Sequence, residues 1–437
     1  MLKKGFTVTT ASMMIALSLT ACGGGDSSSG SKDNAQTPDP VKPATPVTLV
    51  FMQDGATILD EEVEKLVKEP IKAKYPHITV EFKRNTKGNA GLEEMITAGD
   101  FPDFVLTTYP RITIHRDMGT AYDLTELVTK NKMDLTKFDP QAIETARMYG
   151  SKEKIVAIPY SLNFLATFYN KDIFDTFGVE YPKDGLTWDD AISLGKRLTR
   201  MSNNIQYRGL WPTGLLDLST QLSLAYVNPT TGKANIQTDG WKKVFQLVKD
   251  INDIPGNKGG VLDNFLKDQT IAMFPSYDAR IAALEALQGT PGQFNWDMTQ
   301  FPSYKERPNT SLASSGHFLV VSALSKHKEE AFQAIQAITG ADNQKLMTSR
   351  GRFTALNDQE IKGMYGSAMK SVQGKNVKGV FKSSFAPPFT ASSVDALVQP
   401  ALNAALKKVT DGVTDINTAL REAEEAANKE IDAKKVK

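Results

Sequence analysis

The sequence predicts an α/β protein of two domains. Three observations lead there. Residues 47–107 alternate strand, helix, strand, helix, strand, a rhythm that favours a parallel sheet with right-handed crossovers. The chain has 437 residues, and the part able to fold is about 390 residues long, too long for a single core. The first 46 residues differ in composition from everything after them and stand apart from that body.

The leader comes first in the chain. Lys3 and Lys4 precede an apolar stretch over residues 6–19, and Leu19-Thr20-Ala21-Cys22 closes it with small residues before a cysteine. This is the pattern of a secretory signal over residues 1–21, too short for a permanent membrane span. The four closing residues resemble the lipobox of bacterial lipoproteins, which implies that Cys22 is acylated and becomes the first residue of the mature chain. The alternative is an ordinary signal peptide with a chance cysteine. Cys22 is the only Cys in the sequence, so disulfides, thiolate metal sites and cysteine nucleophiles are excluded. Two or three acyl chains, at about 0.8 kcal/mol per buried methylene, anchor a protein where one would not. Residues 22–46, with Gly23-Gly24-Gly25, a Ser-rich run and Pro38, Pro40, Pro43 and Pro46, read as a flexible tether. The expected location is the outer face of the cell membrane, tethered by lipid.

The body follows element by element. Residues 47–52 form an apolar run that reads as a buried strand, ending at Gln53-Asp54-Gly55. A helix is expected over 59–75, stopped by Pro76, then a strand over 78–82, a helix around 92–98 and a strand over 104–107. Further along, 154–160 reads as a strand broken by Pro159, followed by a strand over 165–170. Thr187 and Asp190 form a capping box for the next helix. Residues 241–251 are amphipathic, Ser325 caps a helix running to about 338, and the Ala- and Glu-rich stretch 415–434 is strongly helical. Ligands of open parallel sheets sit beyond the carboxyl ends of the strands, which places Gln53, Asp54, Thr107, Thr108 and Tyr109 at a candidate rim.

Several segments, in this order, resemble family 1 extracellular solute-binding proteins of ABC importers, the group that includes maltose-binding proteins. They are Gly99-Asp100-Phe101-Pro102-Asp103-Phe104-Val105; Ile158-Pro159-Tyr160 with Phe168-Tyr169-Asn170-Lys171-Asp172-Ile173-Phe174; Ala272-Met273-Phe274-Pro275-Ser276-Tyr277; and Ser315-Gly316-His317 running on to Ser325-Lys326 and the Glu330-Ala331 helix. The resemblance implies a type II periplasmic-binding-protein fold, two lobes joined by a multi-strand hinge and closing on a ligand. It places the first lobe at 47–157 plus 322–352 and the second at 160–318 plus 355–437. Many relatives carry a Trp after the third of these segments; here Tyr277 stands nearby.

The function implied is capture of a carbohydrate, an oligosaccharide in particular, and its delivery to membrane permease subunits by a monomeric protein. A sugar offers C–H faces to aromatic rings and hydroxyls to polar side chains, and closure must place every polar partner. The aromatic candidates are Tyr109, Tyr160, Trp211 and Tyr277, each weighed against a ring that merely packs, with Trp211 the favoured platform. The polar candidates are Gln53, Asp54, Asn163 and Arg350. Asp54 reads equally as the opener of an Asx turn, and Arg350 reads more readily as one half of a surface ion pair. Trp188 and Trp241 open helices and read as core residues.

Other classes fare worse. With 51 Lys plus Arg and 50 Asp plus Glu the charge is balanced, and without Lys3 and Lys4 it moves from +1 to −1, so no nucleic-acid partner is expected. The histidines His77, His115, His317 and His327 are isolated, and no zinc, calcium, phosphate-loop or serine-hydrolase motif is complete, so neither metal nor cofactor is expected. The remaining alternatives are a secreted carbohydrate-active enzyme working through two carboxylates, and a purely structural surface lipoprotein with no ligand cleft.

Overall fold

The architecture described here is a computed structural model covering residues 45–150, 154–389, 392 and 394–435; the leader, Cys22 and the tether up to residue 44 lie outside the described residues. The strands in chain order are β1 (Val47–Asp54), β2 (Ile78–Arg84), β3 (Phe104–Thr108), β4 (Ile158–Asn163), β5 (Leu165–Asn170), β6 (Arg200–Ser202), β7 (Ile205–Leu210), β8 (Ile271–Tyr277), β9 (Trp296–Gln300), β10 (Thr310–Ala313), β11 (Ser315–Val321) and β12 (Ser384–Ala386). They form a first sheet ordered β2-β1-β3-β11-β4, a second ordered β6-β7-β8-β5-β9, and a β10-β12 pair. Helices flank both sheets, which gives the two-lobed, type II α/β fold that the sequence predicts.

The parallel expectation holds only for part of each sheet. β1 pairs in parallel with β2 and β3, but β11 runs antiparallel to β3 and to β4. These antiparallel strands are the crossings: a chain that leaves one lobe and returns must enter the first sheet from both directions. The expected strand over 154–160 starts only at Ile158 and runs on to Asn163. There β4 is an edge strand, where Pro159, lacking an N–H, is tolerated. Both β4 and β11 belong wholly to the first sheet, so strand membership changes at Phe164 and Ser314, a few residues inside the second-lobe range expected from sequence.

Local chemistry explains several elements. The helical stretch from Asp60 to Lys74 is not a uniform α-helix, because Val63–Lys68 widens into a π turn. Pro70 has no N–H for the carbonyl of Leu66, and the Nδ2 of Asn343 supplies the missing donor at 2.9 Å. The Thr187 capping box forms as read, with Asp190 accepting from the Thr187 N–H at 3.1 Å. The helix read from Ser325 starts later, at Lys328–Ile338, because the Ser325 hydroxyl is spent on Asp103 at 2.5 Å and on the His327 N–H. Trp188 and Trp241 are both core residues.

The first lobe buries Phe51 against Phe104 in a stacked pair 4.7 Å apart. The same apolar cluster runs through the crossing into the second sheet, where Phe168, Phe274 and Trp296 belong to it. At the crossing, Phe164 meets the edges of Phe353, Tyr365 and Phe381, with ring centroids 4.9–5.2 Å apart. A second cluster fills the rest of the second lobe, and the helices Asp395–Thr410 and Ile416–Lys435 close it. Among the described residues no helix is long and apolar enough to cross a membrane.

Candidate functional site

The carboxyl ends of β1 and β3 form the first wall, but Asp54 does not face outward from it. Its carboxylate is 1% exposed and accepts from Arg111 Nε at 2.7 Å and Nη2 at 2.8 Å, from Asn85 Nδ2 at 2.7 Å and from His115 Nε2 at 3.0 Å. Burial alone would raise this carboxyl, but the hydrogen bonds and charges of His115 and Arg111 outweigh it and hold it below the ordinary aspartate range. With every lone pair used, Asp54 is a clamp. Arg111 and His115 lie one turn apart on the helix Tyr109–Asp117, so the clamp fixes that helix to the end of β1. Its first residue, Tyr109, follows directly on the carboxyl end of β3.

Tyr109 meets Tyr149, the last residue of the helix Pro140–Tyr149, edge to face at 5.1 Å. From the second lobe come Tyr277 at the end of β8, Asp217 on the helix Leu215–Gln221, the buried Tyr226, and Asp395 at the start of the helix Asp395–Thr410. These groups sense one another between lobes. Burial raises the Tyr109 hydroxyl and the charge of Asp217 adds to it, while Tyr149 is raised by burial and then by Tyr109, Asp395 and Tyr226. Burial, Asp217 and Tyr109 push Tyr277 far up, and Tyr226 stands at about 12, chiefly from burial. Four phenols and two carboxylates thus converge from both lobes.

Among the described residues, both carboxylates are held without a cation. Asp217 is 7% exposed and accepts from Thr213 Oγ1 at 2.8 Å. Burial raises its carboxyl, only partly offset by hydrogen bonding. Thr213 has a φ of 51°, a left-handed conformation uncommon for a β-branched residue, and that conformation turns its hydroxyl to Asp217. Asp395 Oδ2 accepts from the Ser392 N–H at 2.8 Å, while Oδ1 is buried with no partner among the described residues. Burial raises the Asp395 carboxyl to about 6.

The other residues read from sequence lie elsewhere or play other parts. Gln53 is half-buried at the rim, its Oε1 without a partner among the described residues. Tyr160 is 1% exposed, and the Arg352 guanidinium lies 6.0 Å from its ring, so it packs within the crossing and presents no face to a ligand. Asn163, half-buried, pairs with Ser315 where β4 meets β11. Trp211 stacks on Phe274 at 5.7 Å. Phe274 and Tyr277 leave opposite faces of β8 by strand alternation, so Trp211 is not part of the ring cluster. Arg350 makes a surface ion pair with Glu61 at 3.0 Å. Two residues on, the half-buried Arg352 holds Glu62 at 2.8 and 2.9 Å and the Thr57 carbonyl at 3.0 Å. Beside it Asp278 is raised by burial to about 7 despite the Ala279 N–H and the Arg352 charge. Tyr149, Asp217, Tyr226, Asp278, Arg352 and Asp395 went unread in the sequence, because only the fold assembles them.

Comparison with known proteins sets this geometry in context. A sugar transporter from Rhizobium etli in an open conformation superposes with a TM-score of 0.74 at 20% identity, covering 87% of this chain and 99% of that one. The sugar-binding protein MalE from Xanthomonas citri gives 0.71 at 16% identity, covering 89% and 98%. An ABC substrate-binding protein from Listeria monocytogenes in complex with cycloalternan gives 0.67 at 21% identity, covering 89% and 99%. No curated protein sequence matches the chain. The family model described as bacterial extracellular solute-binding protein matches residues 56–345, and this chain belongs to that family.

Proposed function

We propose that this protein captures an extracellular carbohydrate, an oligosaccharide, in the cleft between its lobes and hands it to the permease of an ABC importer while tethered to the membrane through an acylated Cys22. The observation that carries the reading is the placement of Tyr109, edge to face with Tyr149, directly after β3 of the first sheet, and of Tyr277 at the end of β8 with Asp217 on the helix that follows β7 of the second. Rings suit the C–H faces of a pyranose, and phenols and carboxylates suit its hydroxyls. Family membership and the sugar-binding neighbours support the same solute class. Tyr109 and Tyr277 remain ligand residues in this reading, with Gln53 and Asn163 at its edge; Asp54, Tyr160, Trp211 and Arg350 serve structure instead. Rings worth about 1 kcal/mol each, added to several hydrogen bonds, suffice for micromolar affinity, about −8 kcal/mol. The protein acts as a monomer, since closure and docking need no second copy.

Calorimetric titration with maltotriose, cellotriose, mannotriose and their monosaccharides tests this, with chromatography of the ligand afterwards. Binding of a trisaccharide at micromolar strength, without cleavage, is expected, and Tyr109→Ala and Tyr277→Ala should each weaken it about tenfold. Silence across the panel would contradict the reading, and a cleaved bond would point to a carbohydrate-active enzyme.

A further inference from the structure

The charge on the converging residues carries a consequence for which solutes can enter. Asp217 and Asp395 make no ion pair among the described residues: Asp217 is held by hydroxyl and backbone donors, and Asp395 by the Ser392 N–H. Among the described residues, no neighbouring cation is turned to either carboxylate. Arg111 is taken by Asp54 at 2.7 Å, Arg116, which holds the Tyr149 carbonyl at 3.2 Å, is paired with Asp117 at 2.7 Å, and Arg352 is taken by Glu62 at 2.8 Å. Arg307 is turned to the Gln221 carbonyl and Ser223 Oγ. Arg280, three residues after Tyr277, donates to Ser276 Oγ at 3.1 Å, and Ser276 leaves the face of β8 opposite to Tyr277.

The vacancy for a hydrogen bond points the same way. Asp395 Oδ1 is a buried acceptor with no donor among the described residues. A buried acceptor left unmade is costly, and a ligand that brings a donor relieves that cost. A second carboxylate or a phosphate brought beside either residue would face an uncompensated negative charge in a poorly solvated setting.

We infer that this cleft takes sugars that bring hydrogen-bond donors and no negative charge, neutral or amino-substituted, and rejects uronates and sugar phosphates, with Asp217 and Asp395 as the residues that set the rule. The inference rests on the carbohydrate reading and narrows it. Once the family's fold is granted, the discrimination comes from these two side chains, not from the fold.

The test compares matched ligands by calorimetry at pH 7.5. The neutral probes are maltotriose, cellotriose, mannotriose and α-1,4-galactotriose; the charged ones are trigalacturonate, cellotriouronate and the deacetylated glucosamine trimer. The neutral trimer that binds should exceed its uronate counterpart by about a hundredfold, and the glucosamine trimer should bind at least as well as cellotriose. Asp217→Asn and Asp395→Asn should each shrink the neutral-to-uronate gap about tenfold while the protein keeps a cooperative thermal transition. A uronate that binds within threefold of its neutral counterpart, or a gap unchanged in both variants, would overturn the inference and leave carbohydrate capture standing. Silence from every probe, charged and uncharged, would remove both.

Discussion

Asp54 and Asp395 are aspartates at the ends of regular elements, yet their surroundings send them in opposite directions. Four donors surround the Asp54 carboxylate and hold it ionised. Asp395 has one backbone donor, and burial lifts its carboxyl to about 6. A carboxyl raised in the folded state penalises folding above that pH, and the penalty is relieved as pH falls from about 6 towards the ordinary value of 3.8. The facing titratable groups are the phenols of Tyr149 and Tyr226, which stay neutral throughout. A sugar hydroxyl donating to Asp395 needs the ionised form, which at pH 5 is about one-tenth of the population, so affinity for the neutral trisaccharide should drop about tenfold from pH 7.5 to pH 5. Asp395→Asn should flatten that profile and raise the thermal midpoint at pH 7.5; calorimetry and thermal melts over pH 4.5–8 read both, and tighter binding at pH 5 would contradict the assignment. Part of this was legible from residues alone. Tyr109 and Tyr277 announce themselves at strand ends, and so does Asp54. Its true role was also within reach, since Arg111 and His115 stand four apart and can grip one carboxylate together. Asp217 and Asp395 carry no such mark: residues more than a hundred positions apart meet only through tertiary structure.

At the scale of elements, strand and helix types follow from apolar pattern and caps, and so they were read nearly to the residue, as in β1, β5 and the Thr187 helix. Register and direction were not, because an apolar run does not say which way its neighbour travels. The two antiparallel crossings β4 and β11 are the clearest case. Gly316 shows what their approach demands: a Cβ there would sit 2.2 Å from the Ser161 carbonyl oxygen and 2.8 Å from Leu162 Cα, both backbone atoms that cannot move aside. Gly316→Ala should therefore cost about 1–3 kcal/mol, the range of overpacked sites, seen in urea as a lower midpoint with an unchanged slope. A midpoint equal to wild type would mean that the crossing strands are not packed as described.

The whole molecule is two lobes whose chain crosses between them at Phe164, again at Ser314 and once more before the C-terminal helices that close the second lobe, with an apolar core continuous through the crossing rings. Such a joint permits bending and resists separation, which suits hinge closure. The carbohydrate reading requires that a solute with affinity for both walls shift the molecule towards its closed state. Small-angle X-ray scattering on the body from residue 45 onward, with and without a saturating trisaccharide identified by calorimetry, tests this most directly. The account predicts a smaller radius of gyration with ligand, and no contraction when Tyr109→Ala and Tyr277→Ala are combined. A profile that the bound sugar leaves unchanged in the wild-type protein would contradict it.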